Sequence, residues 1–289
     1  MNKTICAIKG AICMLSMVAV ALLSAADKAK LNEELFAAIR GKDSDAVQQL
    51  LERGAEATAI DSSWTKYGLR WTALHIAVMG SSSQIIASLI SRGANVNEKN
   101  HNLATPLHLV RRPEYVPFLL GVPGVLVNEK DKDGITPLVY YAGCGNLGIV
   151  NALLADDRVI ALVNTPDENG RTPLHYAAKE GKHEVVNALL ASGADADTVD
   201  VNNQTAFDLA SAKYKEYGGK VEELHAIRNA PGYTREGYAA AHDINAYGPQ
   251  HAAFGLNVGA SEYQHDQSRR AATYKAVIDI LEPITHKPS

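Results

Sequence analysis

Apolar positions along this chain come in short paired groups. In the best-patterned stretch, Leu174 and Ala177 are followed by Val185, Val186, Leu189 and Leu190, the last four at i, i+1, i+4 and i+5. That spacing marks one face of a helix. Gly193 comes next, a residue suited to the left-handed position that stops a helix. Gly54 and Gly93 stand in the same place after Leu50-Leu51 and Leu89-Ile90. The pattern predicts helix pairs, and no single pair can bury its own apolar stripe, so neighbouring pairs must stack.

The pairs repeat. Five segments align, TALHIA from Thr72, TPLHLV from Thr105, TPLVYYA from Thr136, TPLHYAA from Thr172 and TAFDLA from Thr205, at spacings of 33, 31, 36 and 33 residues. Each position has a physical task. Thr172 can cap a helix through its hydroxyl, and Pro173 suits the first helical turn because it lacks an N–H. Upstream, Asp167-Glu168-Asn169-Gly170-Arg171 contains Asn-Gly, which favours the positive φ angles of a tight hairpin turn and predicts a projecting finger.

The T-P-L-H-x-A pattern at a 33-residue period resembles the ankyrin repeat, over about Lys30 to Ala230. The resemblance implies an all-α solenoid of stacked helix-turn-helix units with β-hairpin fingers. It also implies that His75, His108 and His175 are braces that hydrogen-bond between repeats, not catalytic groups. Terminal units lack one neighbour and should present a more polar outer face. The stretch of about 30–60 fits an N-terminal cap, with Leu35, Phe36, Ile39, Val47, Leu50 and Leu51 inward. The unit from Thr205 to Ile227 reads as a closing repeat, having lost both the proline and the histidine.

Three departures stand out. Asp61 lies eleven residues before Thr72, whereas Asp131 and Asp167 lie five before their threonines, so the first finger carries six extra residues, and the stretch from Asp61 to Trp71 contains Trp64, Tyr67 and Trp71. The second repeat is short and is interrupted by Pro113 and Pro117, which predicts irregular helices there. The third has additional residues after Leu154. Beyond Pro231, residues 231–289 form an extension whose first part reads as irregular. A helix is expected from about Ser261 to Leu281, with Tyr274, Val277, Ile278 and Leu281 on one apolar face that would cover the open end of the last repeat.

Residues 1–26 differ from the rest. Lys3 and Lys9 precede an apolar run from Gly10 to Leu23, and the small residues Ser24, Ala25 and Ala26 follow it. This is the pattern of a signal peptide cleaved after Ala26, the run being shorter than the ~20 residues of a membrane-spanning helix. A membrane role arises only if the segment stays uncleaved. The mature chain would be exported, periplasmic or secreted. Its charge moves from -4 to -6, because the segment holds two lysines and no acid, and Cys144 becomes its one cysteine. No bulk attraction to nucleic acid follows from such a balance.

Gly143-Cys144-Gly145-Asn146-Leu147-Gly148 is formally a GxGxxG, and it follows the strand-like LVYYA, so a dinucleotide-binding enzyme is the competing interpretation. Register opposes it, since Thr136-Pro137 should begin a capped helix and Gly145 should occupy an inter-helix turn. Neither the lone Cys144 nor His242, His251 and His265 has the neighbours or spacing of a catalytic or metal site. Asn203-Gln204-Thr205 matches a glycosylation acceptor, but Thr205 is needed as a helix cap. No cofactor, metal or catalytic residue is expected.

What remains is binding. Rigid aromatics beside positive charge have the composition of an interface hot spot, which makes Trp64, Tyr67, Arg70 and Trp71 the candidate anchors. Lys132, Glu168, Arg171, Lys179 and Glu180 occupy variable positions of the repeat and are the candidate polar contacts. The expected partner of this monomeric scaffold is another protein, possible targets including host proteins if the chain is a secreted effector.

Overall fold

The computed structural model describes residues 24–65, 68–228 and 259–284. The helices are α1 (Ala25–Gly41), α2 (Ser44–Glu52), α3 (Ser62–Thr65), α4 (Ala73–Val78), α5 (Ser83–Ser91), α6 (Val116–Leu120), α7 (Pro137–Cys144), α8 (Leu147–Leu154), α9 (Asp157–Ile160), α10 (Pro173–Lys179), α11 (His183–Ala191), α12 (Ala206–Arg228) and α13 (Gly259–Leu281), with 3-10 turns at Pro106–Leu109 and Pro113–Tyr115. The chain divides into two compact units, Met1–Tyr141 with Gly148–Leu162, and Ala142–Leu147 with Val163–Ser289.

In the first unit, helix pairs stack in two rows. The leading helices α1, α4 and the 3-10 turn Pro106–Leu109 pack in sequence, and α2, α5 and α6 pack behind them. The core is the stripe read from the sequence: Leu35, Ile39, Val47, Leu74, Ile85, Ile86, Leu89, Leu107 and Leu119 are all buried. Each such side chain contributes about 1.5–3 kcal/mol of transfer free energy. In the second unit α10 packs against α12, and α11 pairs with α10. Leu174, Ala177, Val185, Val186 and Leu189 are buried there, as their spacing predicts.

The fingers are tighter than a β-hairpin. Asp131, Asp167 and Asp200 each accept backbone N–H groups two and four residues on through Oδ1, at 2.8–3.1 Å. Their own amides donate to the carbonyls of Ile135, Arg171 and Gln204. An aspartate-centred turn therefore closes each of these three fingers, and within them only Gly134, Gly170 and Asn203 take positive φ, so Asn169-Gly170 does not form the two-residue turn expected of Asn-Gly. Among the described residues the sole strand-like pairing is the bridge between Ile60 and Thr72.

The three departures each have a local solution. Asp61 donates its amide to the Trp71 carbonyl at 2.8 Å and accepts from Ser63, so the six extra residues loop out from a closed base and wind into α3. In the second repeat the prolines yield 3-10 geometry and a five-residue α6, and buried Tyr115 donates to the Ser81 carbonyl. In the third, the residues after Leu154 make one additional turn, α9, whose Arg158 donates to the Leu120 carbonyl at 2.7 Å. No helix among the described residues is long and apolar enough to cross a membrane.

Candidate partner-binding surface

Three buried histidines brace the fingers. His75 Nε2 lies 3.1 Å from the Ala104 carbonyl, His108 Nε2 3.0 Å from Ile135 and His175 Nε2 3.1 Å from Gln204. A carbonyl can only accept, so Nε2 carries the proton and Nδ1 is the acceptor. Nδ1 in turn receives the hydroxyl and the amide of Thr72, Thr105 and Thr172 respectively. Each imidazole thus caps its own helix and holds the next finger, with both nitrogens committed. Burial lowers all three pKa values below the ordinary range, His75 to about 4. The closing repeat has Asp208 in this place, accepting from the Thr205 amide and hydroxyl.

The stretch that imitates a dinucleotide fold is helical. LVYYA lies within α7, and α8 and α9 fill the remainder up to Ile160, so no strand precedes the glycines. Gly145 has φ +75° and a Cβ there would meet the Lys182 side chain at 2.6 Å, which makes it the tight inter-helix turn. The cofactor-enzyme interpretation fails on this geometry, because its phosphate-binding turn requires a strand before it. Among the described residues no group of three His, Cys, Asp or Glu side chains could hold a metal ion.

The proposed anchors are dispersed in role. Trp64 lies in α3, while Tyr67 falls outside the described residues. Arg70 is exposed, 3.7 Å from Glu98. Trp71 is half-buried, its ring 6.1 Å from His75 edge-on and 5.9 Å from His101, so it wedges the first finger against the second. Lys132 is exposed, and its amide donates to the Asn102 carbonyl at 2.8 Å. In the second unit, Glu168 and Glu180 are exposed and Lys179 is half-buried at the end of α10. Arg171 is tied to the next finger, its Nε 3.0 Å from the buried Asp200 carboxylate. Trp71 and Arg171 therefore spend much of their surface on joining fingers.

Other side chains present more apolar surface. Leu103 is 47% exposed at the tip of the second finger with φ +57°, the position held by Gly134, Gly170 and Asn203 in the later fingers. Tyr140 is 45% exposed on α7, four residues after its threonine. Ile76 and Leu109 occupy the same place in the two preceding repeats and are half-buried. The available signal was register: this position is apolar or aromatic in every unit. A second feature missed from sequence is the asparagine link. Asn97 donates to the Gly124 carbonyl and accepts from the Leu126 amide, and Asn164 does the same with Gly193 and Asp195.

A family model of three ankyrin repeats matches residues 35–121 and 110–200. The chain belongs to the ankyrin-repeat family. It is similar to the ankyrin repeat protein EF0377 (TM-score 0.56, 26% identity, covering 63% of this chain and 92% of that one) and to the ankyrin repeat domain of Bcl-3, a member of the IkappaB family (0.51, 25%, 61% and 76%). It is also similar to alpha-latrotoxin-Lh1a of Latrodectus hasselti, 38% identical over 93 residues. That stretch is 31% of this chain and only 7% of the toxin.

Proposed function

We propose that this chain is a non-enzymatic protein-binding module whose contact surface lies on its finger tips and on the outward column of its leading helices. Ankyrin repeats are in general protein-interaction modules, and a rigid repeat scaffold presents surface at small entropic cost. The observation that carries the reading is Leu103. A leucine at φ +57° costs roughly 1 kcal/mol relative to glycine, and here it holds an apolar side chain out in solvent. A leucine kept where the finger turn imposes positive φ, with about half its surface in solvent, supports a role in contact. Trp64, Arg70, Lys132 and Tyr140 are the other candidate contacts of its unit, and Glu168, Lys179 and Glu180 are candidate polar contacts of the second unit taken by itself. The protein acts as a monomer in this reading.

The test is binding by substituted chains whose thermal unfolding is followed alongside. Leu103→Glu with Tyr140→Ala, and separately Trp64→Ala, should weaken capture of the partner at least tenfold while thermal unfolding stays within a few degrees. Undiminished capture by all of these variants would refute the surface.

Export rests on Lys3, Lys9 and the apolar run from Gly10 to Leu23. It is compatible with α1, because residues 24–27 are exposed and the first buried side chain is Leu31. The chain recovered from the exported fraction should begin at Asp27, and recovery of chain still starting at Met1 inside the cell would count against it.

A further inference from the structure

The end of the array does not follow the pattern of its predecessors. α12 is a 23-residue helix where the leading helix α10 has seven residues, and it does not turn into a second helix within the repeat. In the earlier units the turn between paired helices is short: α4 ends at Val78 and α5 starts at Ser83, and α10 ends at Lys179 and α11 starts at His183. After α12 ends at Arg228 the next described helix, α13, begins at Gly259.

The packing of α13 is nonetheless that of a second helix. In the first unit α5 touches its own leading helix α4 and α2, the second helix of the preceding repeat. α13 touches α12 and α11, the same two partners one repeat further on. Its buried face is Tyr274, Val277, Ile278 and Leu281. Tyr274 stacks on Tyr217 of α12 with ring centroids 5.5 Å apart and planes 12° from parallel, and Arg270 lies over the same Tyr217 ring at 5.7 Å. A Cβ on Gly181, the turn that opens α11, would lie 3.0 Å from Thr273 Oγ1 and 3.3 Å from the Tyr274 ring. Apolar burial, ring stacking and close backbone approach meet at one seam.

We propose that α11 and α12 form a helix-binding face whose occupant is the chain's own α13, so that residues 259–281 are the missing second helix of the closing repeat. The repeat domain then ends near Leu281 and residues 229–258 are an insertion inside its last repeat, not the start of an independent tail. Covalent continuity through that insertion is dispensable for the seam. An amphipathic helix with aromatic and aliphatic side chains at i, i+3, i+4 and i+7 is the chemistry this face recognises.

The experiment uses the full chain with a protease recognition sequence placed after Gly248. After cleavage, both fragments should co-elute in native size exclusion, and backbone amides of α11 and α12 should keep the hydrogen-exchange protection of the intact chain. In the same full chain, Val277→Asp with Leu281→Asp should release the C-terminal fragment after cleavage. It should also speed exchange in α11 and α12 at least tenfold and leave α4 and α5 unchanged. Separation of the fragments in the unsubstituted cleaved chain overturns the proposal, as does unaltered exchange in α11 and α12 when the two aspartates are present. Should the double variant lose all protection, the unsubstituted cleaved chain decides alone.

Discussion

Acid is the sharpest probe of the histidine braces. His75 is fully buried and neutral, donating to Ala104 through Nε2 and accepting from Thr72 at Nδ1. A proton added to Nδ1 would point at two donors. Its pKa falls from 6.5 to about 4, chiefly because burial desolvates the charged ring. A depressed histidine pKa means that the unfolded chain binds the proton first. Stability from this group is therefore whole above pH 6.5, declines as pH drops through the window from 6.5 to about 4, and levels off below it. At 1.36 kcal/mol per pKa unit, the loss from His75 alone is about 2 kcal/mol at pH 5 and about 3 kcal/mol near pH 4. His108 and His175 shift in the same direction and add to it. Asp167 and Asp200 have lowered pKa values, so they lose stability only as pH falls below the ordinary carboxylate range, outside the upper part of this window. Urea unfolding at pH 7 and pH 5 measures the effect, with His75→Gln as the non-titrating control. The variant should be less stable at pH 7, yet its further loss on going to pH 5 should be smaller than that of the parent by about 2 kcal/mol. An equal acid-induced loss in both proteins would refute the reasoning.

Two further substitutions test particular backbone positions. Leu103→Gly should raise stability by about 1 kcal/mol, read as a higher urea midpoint, because glycine accepts the left-handed conformation without a Cβ clash; a lower midpoint would show that the leucine is serving the fold. Gly181→Ala should cost at least about 1 kcal/mol more than Gly193→Ala. Both sites have positive φ, but only Gly181 faces Thr273 and Tyr274 while Gly193 meets nothing within 4 Å; equal costs would mean that α13 does not press on that turn.

Much of the fold was legible because its signals are local. Threonine, proline, leucine and histidine at fixed offsets each answer a need at one helix start, and the five threonines are where the register puts them. Thr72, Thr105, Thr136, Thr172 and Thr205 all precede a helix or 3-10 turn. The irregular second repeat followed from what proline does to backbone hydrogen bonding at Pro113 and Pro117. Asn169-Gly170 misled because the aspartate two residues before the asparagine supplies a competing side-chain acceptor, which moves the positive φ to the glycine alone. Composition makes Trp71 a contact candidate and its variable repeat position makes Arg171 one, but their neighbours in space, His101 and Asp200, are about thirty residues away along the chain. The links from Asn97 and Asn164 were invisible for the same reason, since an asparagine in a loop has no periodicity to betray its partner. The role of α13 required knowing what α11 and α12 leave uncovered.

One small feature at the other end bears on the proposed cleavage after Ala26. Ser24 closes the start of α1 by accepting the Asp27 amide, and Asp27 returns a bond to Ser24. Scission after Ala26 would discard that serine and leave a newly made ammonium group on Asp27, at the end of the helix whose dipole repels positive charge. The freed carboxylate of Asp27 sits beside the same atom and offsets it. Precursor and processed forms would then share one scaffold from Leu31 onward while differing in how readily the leading turn frays, which an aminopeptidase would sense before any other part of the molecule.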